Sequence, residues 1–281
     1  MIQVDHSILQ PSPHLQPFLK EYMLLDFRSE EGDAIPVKPF PANTGHCLVF
    51  YLEGQVTAVD PQSGTALVYP KIALNGSQLS RFDFHISPRF RILSVEFQPG
   101  VLSRFLRESL REFTDVRVDA EALLQPGIRT VQEQLCHAKA FPEIVTIIEA
   151  YLWKRISSGK LESGPIDRVA RVITENPAGW TIRQLAAEAC LSVSQFERRF
   201  TDAEGITPKL YARINRFFKA CQWKERHPGR DWLGIALDAG YYDYQHLVKD
   251  FRQFASTTPQ SLLQAQAASP DGLASGRAES R

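Results

Sequence analysis

The chain has 281 residues, 43% of them apolar, enough to close a sizeable core and too many for a disordered polymer. Its 32 basic and 32 acidic residues cancel, which excludes a uniformly cationic nucleic-acid coat. No apolar run approaches the ~18–20 residues of a membrane helix, and the opening MIQVDHSILQPSPHLQ lacks the basic start and apolar stretch of a signal peptide.

Four cysteines, Cys47, Cys136, Cys190 and Cys221, stand without CxxC or zinc-like spacing, which points to the reducing cytoplasm. The zero net charge hides a split. Residues 1–164 carry 16 basic against 19 acidic side chains, whereas residues 165–265 carry 14 against 11. A basic C-terminal third hints at an anionic partner.

Residues 40–97 read as β-rich. The run 46–52 is short and apolar and ends at Glu53-Gly54; 55–59 follows, then the turn Asp60-Pro61-Gln62-Ser63-Gly64, then 67–69. In 90–97 the alternation puts Leu93, Val95 and Phe97 on one face. Several short strands joined by turns predict a small sandwich or barrel. After Gly100 the period lengthens to that of a helix. Val101, Phe105 and Leu106 fit one, as do Ile128, Val131 and Leu135. Ile144, Ile147, Ile148, Tyr151 and Leu152 make the strongest stripe, which packs by default on the barrel and otherwise on a second subunit.

The small, polar stretch 157–165 reads as a linker between an N-terminal domain, 1–156, and a helical domain, 166–263. From 264 to 281 the composition predicts a disordered tail. The expected fold class is α+β: a small β-barrel or sandwich with helices, then an all-α domain.

The helical domain contains an internal repeat. Ala186, Ala189 and Cys190 match Ala236, Ala239 and Gly240 at an offset of 50 residues. From Ser192 the offset is 51, pairing Phe196 with Leu247, Phe200 with Phe251, and Thr207-Pro208 with Thr258-Pro259. Each copy reads as helix, tight turn, helix. In the first, Thr181 with Gln184 and Ser192 with Gln195 form capping boxes, and Phe196 and Phe200 are buried one turn apart. Ser194, Gln195, Glu197 and Arg198 are left outward, beside Val193. In the second, Asp231 and Asp243 are the expected N-caps and Gly240 the helix stop. Leu247 and Phe251 are buried, and Tyr244, Gln245, Val248 and Lys249 exposed. Between the copies, Thr207-Pro208 starts a long helix with the stripe Leu210, Tyr211, Ile214, Phe217, Phe218 and Cys221, wide enough to touch both units.

The pieces Leu191-Ser192…Phe196…Arg198…Phe200…Gly205…Thr207-Pro208, Ile235-Ala236…Ala239-Gly240-Tyr241 and Phe251…Phe254…Thr258-Pro259 resemble the AraC/XylS-type transcription regulators over residues 165–263. The resemblance implies two helix-turn-helix units on double-stranded DNA, with bases read from Val193, Ser194, Glu197 and Arg198 and from Tyr244, Gln245, His246, Val248 and Lys249. Cys190 stands where glycine is commoner in that family, as does Ala255. His14-Leu15-Gln16-Pro17-Phe18-Leu19-Lys20-Glu21-Tyr22 and Val95-Glu96-Phe97-Gln98-Pro99-Gly100 resemble an uncharacterised N-terminal domain of such regulators, related to cupin-like sensor barrels.

The chemistry of these side chains suits that role. The Arg198 guanidinium can bond guanine O6 and N7 together, Glu197 can accept from cytosine, and Gln245 can pair with adenine. The competing place for Arg198 is a surface ion pair with Glu197 or Asp202. Lys249 can bind phosphate, as can Thr181, Ser192, Lys209, Arg213 and Arg216, each of which reads equally as a simple cap or a solvated charge.

An effector pocket would draw on Phe40, His46, Phe50, Tyr51, Tyr69, His85 and Glu96, though barrel core is the commoner fate of such residues. No HxH, HExxH, GxSxG, P-loop or GxGxxG occurs, so neither a metal, nor another cofactor, nor an enzymatic activity is expected. The expected function is a one-component, effector-responsive transcription regulator. RNA polymerase and a second copy of the chain stand as further candidate partners, and no membrane is involved. The alternatives are a cupin-like enzyme with a DNA-binding appendage, and a constitutive DNA binder whose N-terminal half only dimerises.

Overall fold

The computed structural model describes residues 2–30, 33–159 and 161–269. Strands β1 (Gln3–Leu9), β2 (Leu19–Arg28), β3 (Lys38–Phe40), β4 (Cys47–Glu53), β5 (Val56–Val59), β6 (Ala66–Val68), β7 (Ile72–Asn75), β8 (Phe82–Ile86), β9 (Arg89–Phe97) and β10 (Arg117–Asp119) build two sheets. The larger runs β1-β2-β9-β4-β7-β10 and the smaller β3-β8-β5-β6, with antiparallel pairing throughout.

Strand β4 shows how the layers form. Leu48 and Phe50 face one way, into a core shared with Leu93 and Val95. Val49 and Tyr51 face the other way, into a core shared with Phe27, Val56 and Phe90. A strand buried on both faces loses its alternation and reads as a continuous apolar run. The expected sandwich is therefore present, and its larger sheet is also covered on the outside. Four helices do this: α1 (Val101–Leu106), α2 (Ala120–Leu123), α3 (Ile128–His137) and α4 (Phe141–Gly159). Ile144, Ile148, Leu152 and Ile156 of α4 are buried against that sheet, with Ile147 and Tyr151 half-buried at the edge of the stripe.

The C-terminal half is α5 (Pro165–Glu175), α6 (Ile182–Glu188), α7 (Val193–Glu204), α8 (Pro208–Arg226), α9 (Trp232–Asp238), α10 (Tyr244–Ala255) and α11 (Pro259–Ala267). Both expected capping boxes form: Gln184 N–H donates to Thr181 Oγ1 and Gln195 N–H to Ser192 Oγ, each at 3.3 Å. Asp243 accepts from the His246 amide at 2.7 Å, whereas Asp231 holds the N-cap position of α9 without a side-chain bond. Phe196, Phe200, Leu247 and Phe251 are buried. Helix α8 joins the copies through ring contacts of Tyr211 with Phe200 at 5.2 Å and of Phe217 with Phe251 at 4.8 Å.

Three expected boundaries move. Helix α4 continues through Gly159, so 157–159 are helical and the connection shrinks to the few residues before α5 begins at Pro165. Ile156 is buried, which holds the last turn in place. Helix α11 runs to Ala267, past the expected boundary at 263, because Leu262 is buried in the helical core. The rest of the expected tail, residues 270–281, lies outside the described residues. The halves also share a core: Ala42, from the N-terminal half, is fully buried among the side chains of the C-terminal one.

Candidate nucleic-acid interface

The first helix-turn-helix is α6 and α7. Burial of Phe196 and Phe200 fixes the rotation of α7, which leaves Val193, Ser194, Gln195, Glu197 and Arg198 exposed on its first two turns. Gln195 is partly committed, since its Oε1 accepts from the Ser192 amide and hydroxyl. Arg198 has no ion pair among the described residues. Its expected rival, Asp202, is held instead by Arg111 at 2.6 Å.

The second unit is α9 and α10. Tyr244, Gln245, His246 and Lys249 are exposed and Val248 is half-buried. Sequence reasoning missed Tyr242, in the turn between these helices, which is 87% exposed. Its signal was present: Tyr241 is buried behind it and Asp243 caps the helix after it, so the residue between them has no inward place.

The two units match in backbone as well as in burial. The turn between their helices is left-handed at Cys190 (φ 54°) and at Gly240 (φ 84°). The last helical carbonyls of α7 and α10 are followed by left-handed Gly205 (φ 79°) and Ser256 (φ 52°). Each copy thus holds glycine at one of the two strained places and an ordinary residue at the other. The position equivalent to Gly205 is Ser256; Ala255 is the last helical residue of α10 and is buried.

The phosphate candidates divide. Lys209 is exposed at the start of α8. The Thr181 and Ser192 hydroxyls are spent on Gln184 Oε1 at 2.8 Å and Gln195 Oε1 at 3.1 Å, so what these helix starts offer a phosphate is backbone N–H. Arg213 and Arg216 turn inward, contrary to expectation. Arg213 donates to Asp250 Oδ1 at 2.6 Å and Arg216 to Asp250 Oδ2 at 3.3 Å. Tyr241 donates to the same carboxylate at 3.0 Å, and Arg216 stacks on its ring at 4.2 Å. A fully buried Asp250 requires such compensation, and α8 supplies it.

The seven expected pocket residues do not form one site. Phe50 and Tyr51 point to opposite faces of the larger sheet, Tyr51 and Tyr69 pack together in the sandwich core, Phe40 stacks on Phe84, and His85 is exposed. Side chains from both sheets pack together in the sandwich interior. Of the set, His46 and Glu96 line a cavity that lies at the seam between the two halves and has a volume of about 640 Å³. Lys20, Arg171, Lys219 and Arg226 also line it. Lys20 pairs with Glu96 at 3.0 Å, and burial raises the Glu96 carboxyl above its ordinary value against the pull of that lysine.

His46 lies deeper in the seam, where burial pushes its imidazole down to about 4. Its Nε2 is 3.8 Å from Glu204, the last residue of α7. Glu204 is fully buried, and neither carboxyl oxygen has a hydrogen-bond partner. Burial raises this carboxyl well above its usual range; the nearby Gly100 amide opposes that without reaching hydrogen-bond geometry, and Asp167 adds to it. Among the described residues no group of three or more His, Cys, Asp or Glu is placed to hold a metal, and no helix is long and apolar enough to cross a membrane.

Residues 185–265 match the family model of a helix-turn-helix domain, and residues 7–119 match that of a domain of unknown function (DUF6597). No curated protein matches the chain. Similar solved structures include ToxT from Vibrio cholerae O395 bound to (E)-4-(8-methylnaphthalen-1-yl)but-3-enoic acid, at 8% identity over 94% of this chain and 99% of that one, with a TM-score of 0.49. A DNA-binding transcriptional dual regulator from Escherichia coli K-12 is 25% identical over 38% of this chain and 96% of its own, with a TM-score of 0.34. The AraC-like transcriptional activator CuxR is 13% identical over 77% and 86% of the two chains, with a TM-score of 0.26.

Proposed function

From a C-terminal region that is a helix-turn-helix domain of the AraC type, we propose that the chain is a one-component transcription regulator that reads DNA with two heads and answers to a small molecule. The observation that carries this reading is the pair of equivalent helices, α7 and α10, each exposing polar side chains over its first turns and both anchored on α8. At 19 residues α8 is about 28 Å long, close to the ~34–36 Å of one DNA turn, which suits consecutive major-groove segments on one face of the duplex.

The N-terminal half is read as a sensor and not as a catalyst. Its sandwich interior is packed with side chains from both sheets, and burial makes the His46 imidazole a weak base and holds the Cys47 thiol in its neutral, less nucleophilic form. The effector site is the seam cavity. Arg171, Lys219 and Arg226 line it beside the Lys20–Glu96 pair and the carboxylates of Glu21 and Glu175, so a small ligand whose carboxylate or phosphate ester meets the cationic side chains fits its chemistry, and a ligand there touches both halves at once. Pairing of two chains and contact with RNA polymerase in the cytoplasm belong to the same reading.

Selection of duplexes from a random library by the full chain tests it. Enrichment of a two-part motif with halves about one turn apart is the expected result. A chain that prefers no duplex over competitor at moderate ionic strength, with or without small organic anions, overturns it. If operator binding ignores every such anion, the constitutive alternative takes its place.

A further inference from the structure

The C-terminal ends of α7 and α10 are not finished by their own chain segment alone. A helix ends with four carbonyls that lack an intrahelical partner. In α7, Glu204 O accepts from the Ser77 hydroxyl at 2.9 Å, and Gly205 O from the Thr114 hydroxyl at 3.1 Å. In α10, Phe254 O accepts from the Ala42 amide at 2.8 Å, and Ala255 O from Arg81 at 3.5 Å. Gln62 then donates to the Ser256 hydroxyl at 3.0 Å. All five donors belong to the N-terminal half. At the repeat offset of 51, Glu204 is equivalent to Ala255 and Gly205 to Ser256, so the same two positions are gripped in both heads.

Two of the grips come from one short segment. Ser77 reaches the first head and Arg81, four residues on, reaches the second; extended, that segment spans at most ~14 Å. It is held rigidly. Gln78 exchanges backbone hydrogen bonds with Asn43 at 2.7 and 2.9 Å, and its side-chain amide donates to Phe40 O and Ser80 O at 2.8 Å each. The Asp115 carboxylate accepts from the Leu79 amide at 2.7 Å. Ser77 and Gln78 are both buried.

We infer that residues 77–81 are a gauge: Ser77 and Arg81 position the two DNA-reading helices relative to each other and thereby set which spacing between half-sites the protein accepts. This rests on the reading of α7 and α10 as the DNA-reading helices. Ser77 and Arg81 touch no DNA; they act through the ends of the helices that do. The N-terminal half is then part of the specificity apparatus even with the effector site empty.

The test uses the full chain and the duplex it enriches from a random library, together with duplexes carrying one base pair more or fewer between the halves. The wild type is expected to discriminate against the altered spacings. In Ser77→Ala/Arg81→Ala the same half-motifs are still selected, while the penalty for altered spacing falls roughly tenfold. A folded double variant that keeps the wild-type spacing penalty overturns the inference and leaves the DNA-binding reading standing. Enrichment of a single half-motif by the wild type does the same. No enrichment at all removes both. Should Ser77→Ala/Arg81→Ala not fold, Gln62→Ala/Arg81→Ala removes the two side-chain grips on the second head, leaving that of the Ala42 amide, and carries the same two outcomes for spacing.

Discussion

Arg198 and Arg216 lie on the consecutive helices α7 and α8 and show how one residue type divides between the exposed surface and the hold on the fold. Arg198 is exposed, without an ion pair among the described residues, on the helix face that Phe196 and Phe200 leave outward. Arg198→Ala is expected to weaken the selected duplex by about 1–3 kcal/mol while leaving random DNA nearly unchanged, measured as competed Kd values on both. Equal loss on both would make it a phosphate contact. The exposure of Arg198 was legible because two aromatic residues four apart fix a helix's rotation. The fate of Arg213 and Arg216 was not, since Asp250 sits 34 and more residues away and nothing local marks it as buried.

The left-handed residues give a second prediction at this scale. Cys190 takes φ 54°, and its equivalent Gly240 takes φ 84° with a close neighbour: a Cβ there would stand 2.4 Å from that of Ala178. The first copy tolerates a side chain and the second cannot. Cys190→Gly should therefore stabilise by about 0.5–1 kcal/mol, the relief of the left-handed strain less the added freedom of the unfolded chain, read from urea melts. Ser256→Gly is a less clean experiment because it also deletes the bond from Gln62.

At the scale of elements, α10 depends on a charge network. Asp250 faces Arg213, Arg216 and Tyr241 from within the helix that carries Tyr244 and Lys249. Asp250→Ala leaves two half-buried guanidinium groups without their charge partner. A loss of about 3 kcal/mol in urea melts is expected, together with loss of the second half of the selected motif before the first. Retention of both halves with wild-type stability would show that the network is idle.

Element by element, sequence periodicity found the helices more readily than the strands. Strand β2, LKEYMLLDFR, is buried on both faces and slips register between Leu19 and Glu21, so neither a clean alternation nor an uninterrupted apolar run marks it. Strand β1 lies at the sheet edge and reads as polar. The capping boxes, by contrast, are local chemistry within four residues, and both formed where the sequence placed them. The seam was invisible for the opposite reason. Its donors and acceptors lie far apart in the chain, 127 residues for Ser77 and Glu204, and no short-range pattern joins them.

At the scale of the whole molecule, the seam makes stability depend on pH through two groups with opposite signs. Burial holds His46 at about 4 against its ordinary 6.5, so the unfolded chain binds a proton first; the contribution of His46 is full above 6.5 and lost, by about 3 kcal/mol, as pH falls toward 4. Glu204 is raised, so its contribution is full below 4.5 and lost as pH rises through the buried value. Facing it are His46 and Ser77 from the N-terminal half, Asp167 from α5 and Tyr211 from α8. Glu204→Gln removes the second dependence. Its stability should exceed that of the wild type by about 1–3 kcal/mol at neutral pH, with the gap widening as pH rises above 4.5 in melts across a pH series. Parallel curves at every pH would contradict a buried, titrating Glu204.

Helix α8, through Phe200 and Phe251, and the segment from Ser77 to Arg81, through the carbonyls one turn further on, each tie the two heads together, so the parts form a braced truss instead of an open chain of hinges. In a closed frame no member can lengthen alone. On the reading proposed above, a ligand wedged in beside Lys219 would load both heads together, and the frame would answer as a toggle, the pair engaging or disengaging in step.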